Sequence, residues 1–340
     1  MSTPKIAAVA TATPRHRFDQ ATLLRMSGYA GQRAAFFNNS QIEERYLFLD
    51  PDTFTPDETA DELNGRFQRG AVEIGAAAVR RVLDRAGWRP DDVDFLATTT
   101  CTGRMCPSLD AHLISALGLK SAVQRVHVGD TGCASAMVAL QQAYNHLRAF
   151  PRHRAVIVAV EICSAAYFLD NRLESAVAHA IFADGAGAIA LSAEGEGPAI
   201  VEQRTLFRPE HLSAMGFEYP GGRPRVVLSK DVRRIGAGMM TEMADLLMMS
   251  HGLKKDDIAH FILHSAGRRV IDQARKLMEL DECQIASSRY VLQHFGNMSS
   301  ATIVFVLDEL LRTATPAPGD WGLMIALGPG FAAEGALLRW

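Results

Sequence analysis

The sequence predicts an α/β fold made of two similar halves, at about residues 1–195 and 196–340. Short apolar runs rich in branched residues alternate along the chain with amphipathic segments, as buried strands alternate with helices. The predicted strands are DVDFLATTT, AVIVAVEI, AHFILHS and WGLMIALG. The predicted helices are PSLDAHLISALGL, ASAMVALQQAYNHLRAF and SATIVFVLDELLR. Such alternation favours α/β layers with largely parallel sheets.

Four elements recur in the same order in the two halves. Residues 91–118 and 256–280 each contain a strand that starts at two aspartates, then a loop with glycine, then a helix. Further along, VGDTGCASAMVAL matches FGNMSSATIVFVL, AVIVAVEI matches WGLMIALG, and DGAGAIAL matches FAAEGALL. Four matches in one order indicate duplication of an α/β half. Segment 205–235, rich in Pro, Gly and Arg, is predicted to form loops or an edge that covers the site.

Composition excludes several classes of protein. The 340 residues are 48% hydrophobic and 21% charged, which is ordinary for a globular protein. The net charge is −3 without a long basic run, so we expect no nucleic-acid partner. No apolar run reaches the roughly 18 residues that a membrane span needs, and the N-terminus predicts a first strand rather than a signal peptide. Five cysteines, an odd number, are typical of reduced thiols in a cytoplasmic protein.

Cys133 is the first candidate for chemistry. It stands in GCASA, between the predicted strand VQRVHV and a helix. A cysteine at a helix start is expected to have a stabilised thiolate, because the helix dipole and free N–H groups favour negative charge there. The same N–H groups can face a developing oxyanion. A lone cysteine in such a turn is also compatible with a small buried core residue.

Two further residues favour the catalytic interpretation. His264 ends the predicted strand AHFILHS, and Asn297 follows Gly296 at the turn that corresponds by the repeat to the Cys133 turn. A duplicated fold relates these turns by approximate two-fold symmetry, so Cys133, His264 and Asn297 are predicted to converge. His264 can then take the thiol proton and pair with the thiolate, and His264 with Asn297 can donate hydrogen bonds to an enolate. Separately, the histidine could be structural and the asparagine a helix cap.

Other motifs are absent. Cys101 and Cys106 lie five residues apart, which is not a usual zinc spacing, so we expect them to line a pocket or a subunit contact. The chain has no HExxH, GxxxxGK[ST], GxSxG or clean GxGxxG pattern, so we predict no metal and no dinucleotide cofactor.

At these residues the chain resembles the type III polyketide synthases, of the chalcone synthase superfamily with the thiolase fold. The resemblance rests on TTTCTGRMCPSLDAHLISALGL, GDTGCASA, HAIFADGAGAIAL, HSAGRRVID, GNMSSATIVFVLDEL and ALGPGFAAE. It implies a layered αβαβα arrangement and a homodimer in which the Cys106 loop reaches the partner's cavity. It also implies that Cys133 takes a starter acyl group from coenzyme A. His264 and Asn297 would then promote malonyl decarboxylation, and the chain would be extended by Claisen condensation and cyclised.

The resemblance also implies the lining of a cavity. Phe182 corresponds to a gatekeeper phenylalanine, and Val226 falls where the family has its second one, which would widen the cavity mouth. The Gly-Pro-Gly loop that shapes the cavity floor corresponds to Gly328, Pro329 and Gly330. The other expected lining residues are Cys101, Cys106, Ala166, Phe217 and Ser299.

The family's basic residues for coenzyme A fall on Ala35 and Asn39. Arg33, Arg45, Arg268 or Arg269 would substitute for them, or the acyl carrier differs, for example as a carrier protein. EICSAAYFLDNRLESAV resembles bacterial synthases that make 3,5-dihydroxyphenylacetyl-CoA from malonyl-CoA, whereas GPGFAAE also resembles phloroglucinol-type synthases.

Four hypotheses follow. The first is an iterative malonyl-CoA-dependent synthase whose product is an aromatic ring or a pyrone, with alkylresorcinol and alkylpyrone synthases as related variants. The second is a single-step acyltransferase or condensing enzyme with an unusual donor. The third is a Cys-His-Asn hydrolase, against which the repeat and the Gly-Pro-Gly loop argue. The fourth is a non-catalytic scaffold, against which the joint presence of Cys, His and Asn argues.

Overall fold

The computed structural model describes residues 3–167 and 169–340, which form thirteen strands and ten α-helices. The strands are β1 (Lys5–Ala12), β2 (Arg17–Asp19), β3 (Glu44–Tyr46), β4 (Phe95–Thr100), β5 (Gln124–Gly129), β6 (Arg154–Ile162), β7 (Asp184–Ser192), β8 (Ala199–Phe207), β9 (Met215–Glu218), β10 (Arg225–Leu228), β11 (Ile258–Leu263), β12 (Trp321–Gly328) and β13 (Ala332–Arg339). The helices are α1 (Gln20–Ser27), α2 (Ala34–Asn38), α3 (Ala60–Ala86), α4 (Leu109–Leu117), α5 (Ser135–Ala149), α6 (Leu173–Ile181), α7 (Val232–Ser250), α8 (Arg268–Leu277), α9 (Ala286–Phe295) and α10 (Thr302–Thr313). The strands and helices predicted from periodicity are all present.

Nine strands form one sheet in the order β11-β12-β13-β8-β1-β7-β6-β4-β5. Strands of the first half lie together at one end and strands of the second half at the other, and β1 meets β8 through the single pair Lys5–Ala199. Read outwards from this junction, β1, β7, β6 and β4 occupy the same places as β8, β13, β12 and β11. The spatial order therefore follows the sequence repeat. The boundary proposed near residue 195 falls between β7 and β8.

The expectation of largely parallel sheets is wrong. Only β4–β5, β4–β6 and β11–β12 pair in parallel, whereas the other pairs of the nine-stranded sheet are antiparallel. The connection from β12 to β13 shows one reason. It spans only residues 329–331, and so short a loop joins neighbours as an antiparallel hairpin, since a parallel pair needs a long crossover.

Three clusters of buried side chains hold the helices and strands together in five layers. The central cluster packs α5 and α10 between the two ends of the sheet. A second cluster joins α3 and α4 to the outer face of the first-half strands, and a third joins α7 and α8 to the second-half strands. This is the αβαβα order that the resemblance implies. It brings the starts of α5 and α10 to the centre of the molecule.

Two smaller features bear on function. Strands β9 and β10 form a separate hairpin in which Val226 pairs with Phe217, as expected for a covering segment within 205–235. Among the described residues no helix is long and apolar enough to cross a membrane.

Candidate active site

Cys133 lies in a tight turn between β5 and α5, and that turn is packed against the Gly-Pro-Gly loop. Gly132 has a φ of +64°, and a Cβ added there would overlap the Pro329 ring. A Cβ on Gly328 would lie 2.8 Å from the Thr131 carbonyl oxygen and 2.9 Å from Ala134 Cβ. Glycine is required at both positions because the two loops pack so closely that neither leaves room for a side chain. The floor loop therefore positions the nucleophile turn directly.

The structure brings Cys133, His264 and Asn297 to one cavity of about 560 Å³, which we call the outer cavity. His264 follows β11 and is only 1% exposed, and its N–H donates to the Ile325 carbonyl at 3.0 Å. Asn297 is tied at both sides, since its N–H donates to Ile181 O at 2.8 Å and its carbonyl accepts from Ala183 N at 2.9 Å. The three side chains therefore belong to three separate backbone segments that border the outer cavity.

The amide of Asn297 has a defined orientation. Its Oδ1 accepts from the Ser299 N–H at 2.9 Å and from the Thr302 hydroxyl at 3.2 Å, while its Nδ2 donates to Ala266 O at 3.2 Å. A backbone N–H is an unambiguous donor, so its partner must be the amide oxygen. The NH₂ group retains a second hydrogen for a ligand in the cavity. Asn297 is therefore set to donate to a substrate oxygen.

His264 is held neutral. Burial lowers its pKa to about 4, because the buried site disfavours the imidazolium. Neither ring nitrogen has a hydrogen-bond partner among the described residues. A neutral imidazole offers one donor and one acceptor, and both are free for a substrate in the outer cavity.

The prediction of a stabilised Cys133 thiolate is wrong for the free protein. Burial raises the pKa of the thiol to about 12, and the nearby Glu161 carboxyl adds to the rise. The Ser299 hydroxyl, 3.2 Å from Sγ, and the backbone N–H of Cys133 lower the pKa, but by less than burial raises it. The structure shows no hydrogen bond from Cys133 to His264. The resting pair is therefore a thiol beside a neutral imidazole.

A second space of about 260 Å³, the inner cavity, is also bordered by Cys133. Phe182 borders both cavities, as does Cys133 itself. Seven of the predicted lining residues border the inner cavity: Cys101, Ala166, Phe182, Phe217, Val226, Ser299 and Pro329. Gly328 and Gly330 shape the loop without bordering either cavity. Cys106 is exposed and borders neither cavity in the single chain.

Sequence reasoning missed a buried carboxyl beside the nucleophile. Glu161, at the end of β6, accepts from the Cys101 N–H at 3.1 Å and from the Thr102 hydroxyl at 2.8 Å, and also from the Ser300 hydroxyl. Burial raises its pKa. The Ser299 hydroxyl lies 3.2 Å from the Cys101 and Cys133 sulfurs and so links this network to the nucleophile. The available signal was a glutamate in an otherwise apolar strand.

Two family models match separate parts of the chain, and a curated relative matches nearly all of it. The family model described as FAE1/type III polyketide synthase-like protein matches residues 26–215, and that of the 3-oxoacyl-[acyl-carrier-protein] synthase III C-terminal region matches residues 248–340. The 3,5-dihydroxyphenylacetyl-CoA synthase of Streptomyces toyocaensis is 31% identical, over 99% of this chain and 90% of that protein. The chain belongs to the type III polyketide synthase family.

Other members of this family agree with the assignment. The 1,3,6,8-tetrahydroxynaphthalene synthase of Streptomyces peucetius subsp. caesius is 30% identical, over 98% of this chain and 93% of that protein. The crystal structure of PKS-I from the brown alga Ectocarpus siliculosus superposes with a TM-score of 0.92 at 28% identity, over 99% of this chain and 98% of that one. The fold is therefore that of type III polyketide synthases, and the protein is an acyl-transferring condensing enzyme.

The arginines expected to hold the acyl carrier of this polyketide synthase divide into two groups. Arg45 is fully buried and donates to the carbonyls of His179 and Phe182 and to Gln20 Oε1, so its assignment to carrier binding is wrong. Arg33 donates to Asn171 O at 2.7 Å and does not border the outer cavity.

Arg268 and Arg269 do border the outer cavity, together with Lys230 and Arg233, which the sequence interpretation did not select. The sequence feature that could have identified Lys230 and Arg233 is the basic run in LSKDVRR, which follows the strand that contains Val226. Within residues 3–167 and 169–340 no group of three His, Cys, Asp or Glu side chains has the arrangement of a metal site.

Proposed function

We propose that this polyketide synthase loads a starter acyl group onto Cys133, extends it by repeated decarboxylative condensation with malonyl-CoA, and cyclises the product. The observation that supports the proposal is the position of Cys133 between two cavities. The outer cavity contains His264 and Asn297, and the inner cavity is lined mainly by apolar side chains. An acyl chain on the sulfur would fit the inner cavity while the carrier thioester occupies the outer one.

Loading requires transfer of one proton. The Cys133 sulfur attacks the starter thioester carbonyl while His264 takes the thiol proton, and His264 then gives this proton to the departing thiolate of coenzyme A. Because the isolated pKa values of thiol and imidazole lie far apart, proton transfer and attack are expected to occur together rather than through a preformed ion pair.

Extension requires an enolate. The bond between the malonyl Cα and its carboxylate breaks, CO₂ leaves, and the electron pair forms the enolate of the thioester. His264 and Asn297 donate hydrogen bonds to the enolate oxygen. The enolate carbon attacks the acyl carbonyl on Cys133, and the sulfur leaves as thiolate to accept the next acyl group. Loss of CO₂ supplies the drive, so these steps need no metal or redox cofactor, only coenzyme A thioesters as substrates.

The inner cavity favours a short product. Its volume of about 260 Å³ lies below the usual range of roughly 300–1,000 Å³ for small-molecule sites. A small aromatic product, of the kind named for the 3,5-dihydroxyphenylacetyl-CoA synthase relative, fits this space better than a pyrone or resorcinol with a long alkyl chain. Val226 at the hairpin leaves the mouth wider than a second phenylalanine would.

One observation supports a second candidate function, a single-step condensing enzyme. Asn39 borders the outer cavity and brings no charge to the side where the family has basic residues. A single-step condensing enzyme that receives its acyl group from a carrier protein would need no phosphate contacts there.

The test incubates the enzyme with radiolabelled malonyl-CoA, with and without acyl-CoA starters, and measures CO₂ release and product mass. The proposal expects CO₂ and a cyclised polyketide that contains several malonyl-derived units. A folded enzyme that releases no CO₂ would refute it, and a product with one added unit would favour the second candidate.

We also propose a cytoplasmic homodimer. The exposed Cys106 and the position of β5 at the end of the sheet support a contact between two copies, and five free cysteines support a reducing compartment. Light scattering after gel filtration should give twice the chain mass of 37.0 kDa, whereas a monomer at micromolar concentration would contradict the dimer.

A further inference from the structure

His179 brings a polar side chain to the wall of the inner cavity. It lies on α6, three residues before Phe182, is 4% exposed, and borders the inner cavity together with Tyr167. Its Nδ1 is 2.9 Å from the Tyr29 hydroxyl oxygen. Its Nε2 forms no hydrogen bond with the described residues, yet unlike the ring nitrogens of His264 it is not closed off from open space. One ring nitrogen is therefore engaged and the other is available.

The available nitrogen has two open spaces beside it, and they differ greatly in size. His179 borders a void of about 10 Å³ beside α1 as well as the inner cavity of about 260 Å³. The void is at the lower limit for a single water molecule. Tyr29 does not border the inner cavity, so Nδ1 is directed to a residue outside it. Of the two spaces, the inner cavity is the one in which Nε2 can meet an organic ligand.

Tyr29 determines which nitrogen of His179 carries the hydrogen. Burial, together with the charge of Arg45, lowers the pKa of His179 to about 3, so the imidazole is neutral and has one donor and one acceptor. Burial also raises the pKa of the Tyr29 phenol, which therefore keeps its hydrogen. Among the described residues, that hydrogen has Nδ1 as its acceptor and no other. Nδ1 therefore accepts, and Nε2 carries the hydrogen.

The other buried hydroxyls of the inner cavity already have acceptors. Three hydroxyls that border it donate within the protein: Thr102 to Glu161, Tyr167 to the Phe182 carbonyl, and Ser299 to the Cys133 sulfur. The two charged residues, Arg104 and Asp130, pair with each other at the exposed edge. Buried donors are normally hydrogen-bonded. The Nε2–H of His179 is therefore a donor whose partner has to come from the cavity.

We propose that the Nε2–H of His179 donates a hydrogen bond to a ketone oxygen of the growing polyketide and so determines how many units are added before the chain cyclises. A chain built from malonyl units has a ketone at every second carbon. Holding one of these oxygens fixes how far from Cys133 the chain folds back. Tyr29 is the positioning residue for this donor. The proposal rests on the proposed function, since its ligand is the acyl chain on Cys133.

A neutral donor suits a ketone ligand in a cavity of this kind. The inner cavity is lined mainly by apolar side chains, where an isolated charge would be costly to bury. A neutral imidazole avoids that cost and still offers an ordinary hydrogen bond. If the donor is removed, the buried ketone is left unpaired, which should change the preference between two folded forms of the chain about tenfold.

Product profiles with labelled malonyl-CoA test this donor. In His179→Phe, which keeps a ring but has no donor, the ratio of the wild-type product to products with other numbers of malonyl units should fall about tenfold. Acyl loading onto Cys133 and the KM for malonyl-CoA should stay as in the wild type, because both depend on the outer cavity. His179→Gln can present an amide N–H to the cavity and should keep most of the wild-type profile. Tyr29→Phe should shift the profile a few-fold in the same direction as His179→Phe.

His146→Phe and Tyr290→Phe are the matched controls, because neither residue borders the inner or the outer cavity. Both should give the wild-type profile, and circular dichroism with thermal melts establishes that each variant is folded. An unchanged profile in His179→Phe would overturn the proposal. Equal shifts in His179→Phe and His179→Gln would overturn it too, since packing rather than the donor would then matter. An equal shift in His146→Phe would have the same consequence.

Nitrogen-15 spectra of enzyme labelled at histidine test the site without turnover. They should show a neutral His179 with its hydrogen on Nε2 in the wild type, and a mixture of both tautomers in Tyr29→Phe. Pentane-2,4-dione, a small diketone, should shift the Nε2 signal of His179 and leave the signals of His146 in place. A hydrogen on Nδ1, or an Nε2 signal that the diketone does not move, contradicts the proposal. If the signal responds but the enzyme releases no CO₂ from malonyl-CoA, the ketone site stands and the proposed function fails.

Discussion

The two cavities that meet at Cys133 differ in almost every physical property. The inner cavity of about 260 Å³ is lined mainly by small and aromatic side chains, with one exposed ion pair, Arg104–Asp130, at its edge. The outer cavity of about 560 Å³ holds His264 and Asn297 at its depth and four cations at its opening. The inner space suits a growing acyl chain and the outer space suits a charged carrier. In the proposed mechanism, the Cys133 sulfur therefore lies where the acyl chain that grows meets the carrier that is only held.

This division predicts that nucleophilic and enolate chemistry can be separated. In Cys133→Ala, condensation should fall by at least about 10³-fold, because the covalent intermediate cannot form. Decarboxylation of malonyl-CoA should continue, because His264 and Asn297 remain in the outer cavity. Product mass and CO₂ release measure the two activities. Full condensation by this variant would remove Cys133 from the mechanism.

Asn297→Asp probes the outer cavity alone. The aspartate can still accept from Ser299 N–H and Thr302, so the fold should persist, but the donor to the enolate is lost. We expect kcat to fall by about 10²–10³-fold, while acyl loading onto Cys133 remains detectable by mass spectrometry. A variant with unchanged kcat would show that the amide does not face the substrate.

The resting charge state of Cys133 can be read from its alkylation by iodoacetamide. Its pKa is raised to about 12, so the neutral thiol dominates at neutral pH and the reactive thiolate increases only as pH rises toward that value. The rate should therefore grow about tenfold per pH unit between pH 6 and 9, without a plateau. A plateau with a midpoint below pH 7 that disappears in His264→Ala would instead reveal an ion pair in the free enzyme.

Of the variants described here, Val226→Phe is expected to have the smallest effect on activity. The added ring narrows the mouth opposite Phe217, so we expect a few-fold lower kcat and products with fewer malonyl units. Val227→Phe is the matched control, because its side chain points to the other face of the hairpin. Identical product profiles for both variants would show that this position does not limit chain length.

Much of this architecture was predictable from the sequence because it depends on local patterns. Strand and helix periodicity gave the elements, and the repeat placed the turns of Cys133 and Asn297 at corresponding positions. Arg45 was misassigned because its acceptors, the carbonyls of His179 and Phe182, lie more than a hundred residues away along the chain. Glu161 was missed for a similar reason, since its partners Cys101 and Thr102, in the turn after β4, lie 60 and 59 residues away along the chain, and Ser300, in the turn before α10, lies 139 residues away.

The protonation state of Cys133 shows a second limit on what the sequence can predict. The helix start is visible in the sequence, and in the structure the backbone N–H of Cys133 does lower the pKa of the thiol. The burial that outweighs it arises from packing between the two halves, which local pattern does not specify. The sequence therefore predicts which residue is the candidate nucleophile but not its resting protonation state.

The most direct test of the central claim is to locate the acyl group. The enzyme is incubated briefly with an acyl-CoA starter, quenched in acid, digested and analysed by mass spectrometry, with Cys133→Ser and Cys163→Ser in parallel. The account predicts an acyl mass on the peptide that contains Cys133, unchanged in Cys163→Ser and absent from that peptide in Cys133→Ser. An acyl group on another cysteine in the wild type, or none on a folded enzyme that makes product, would contradict it.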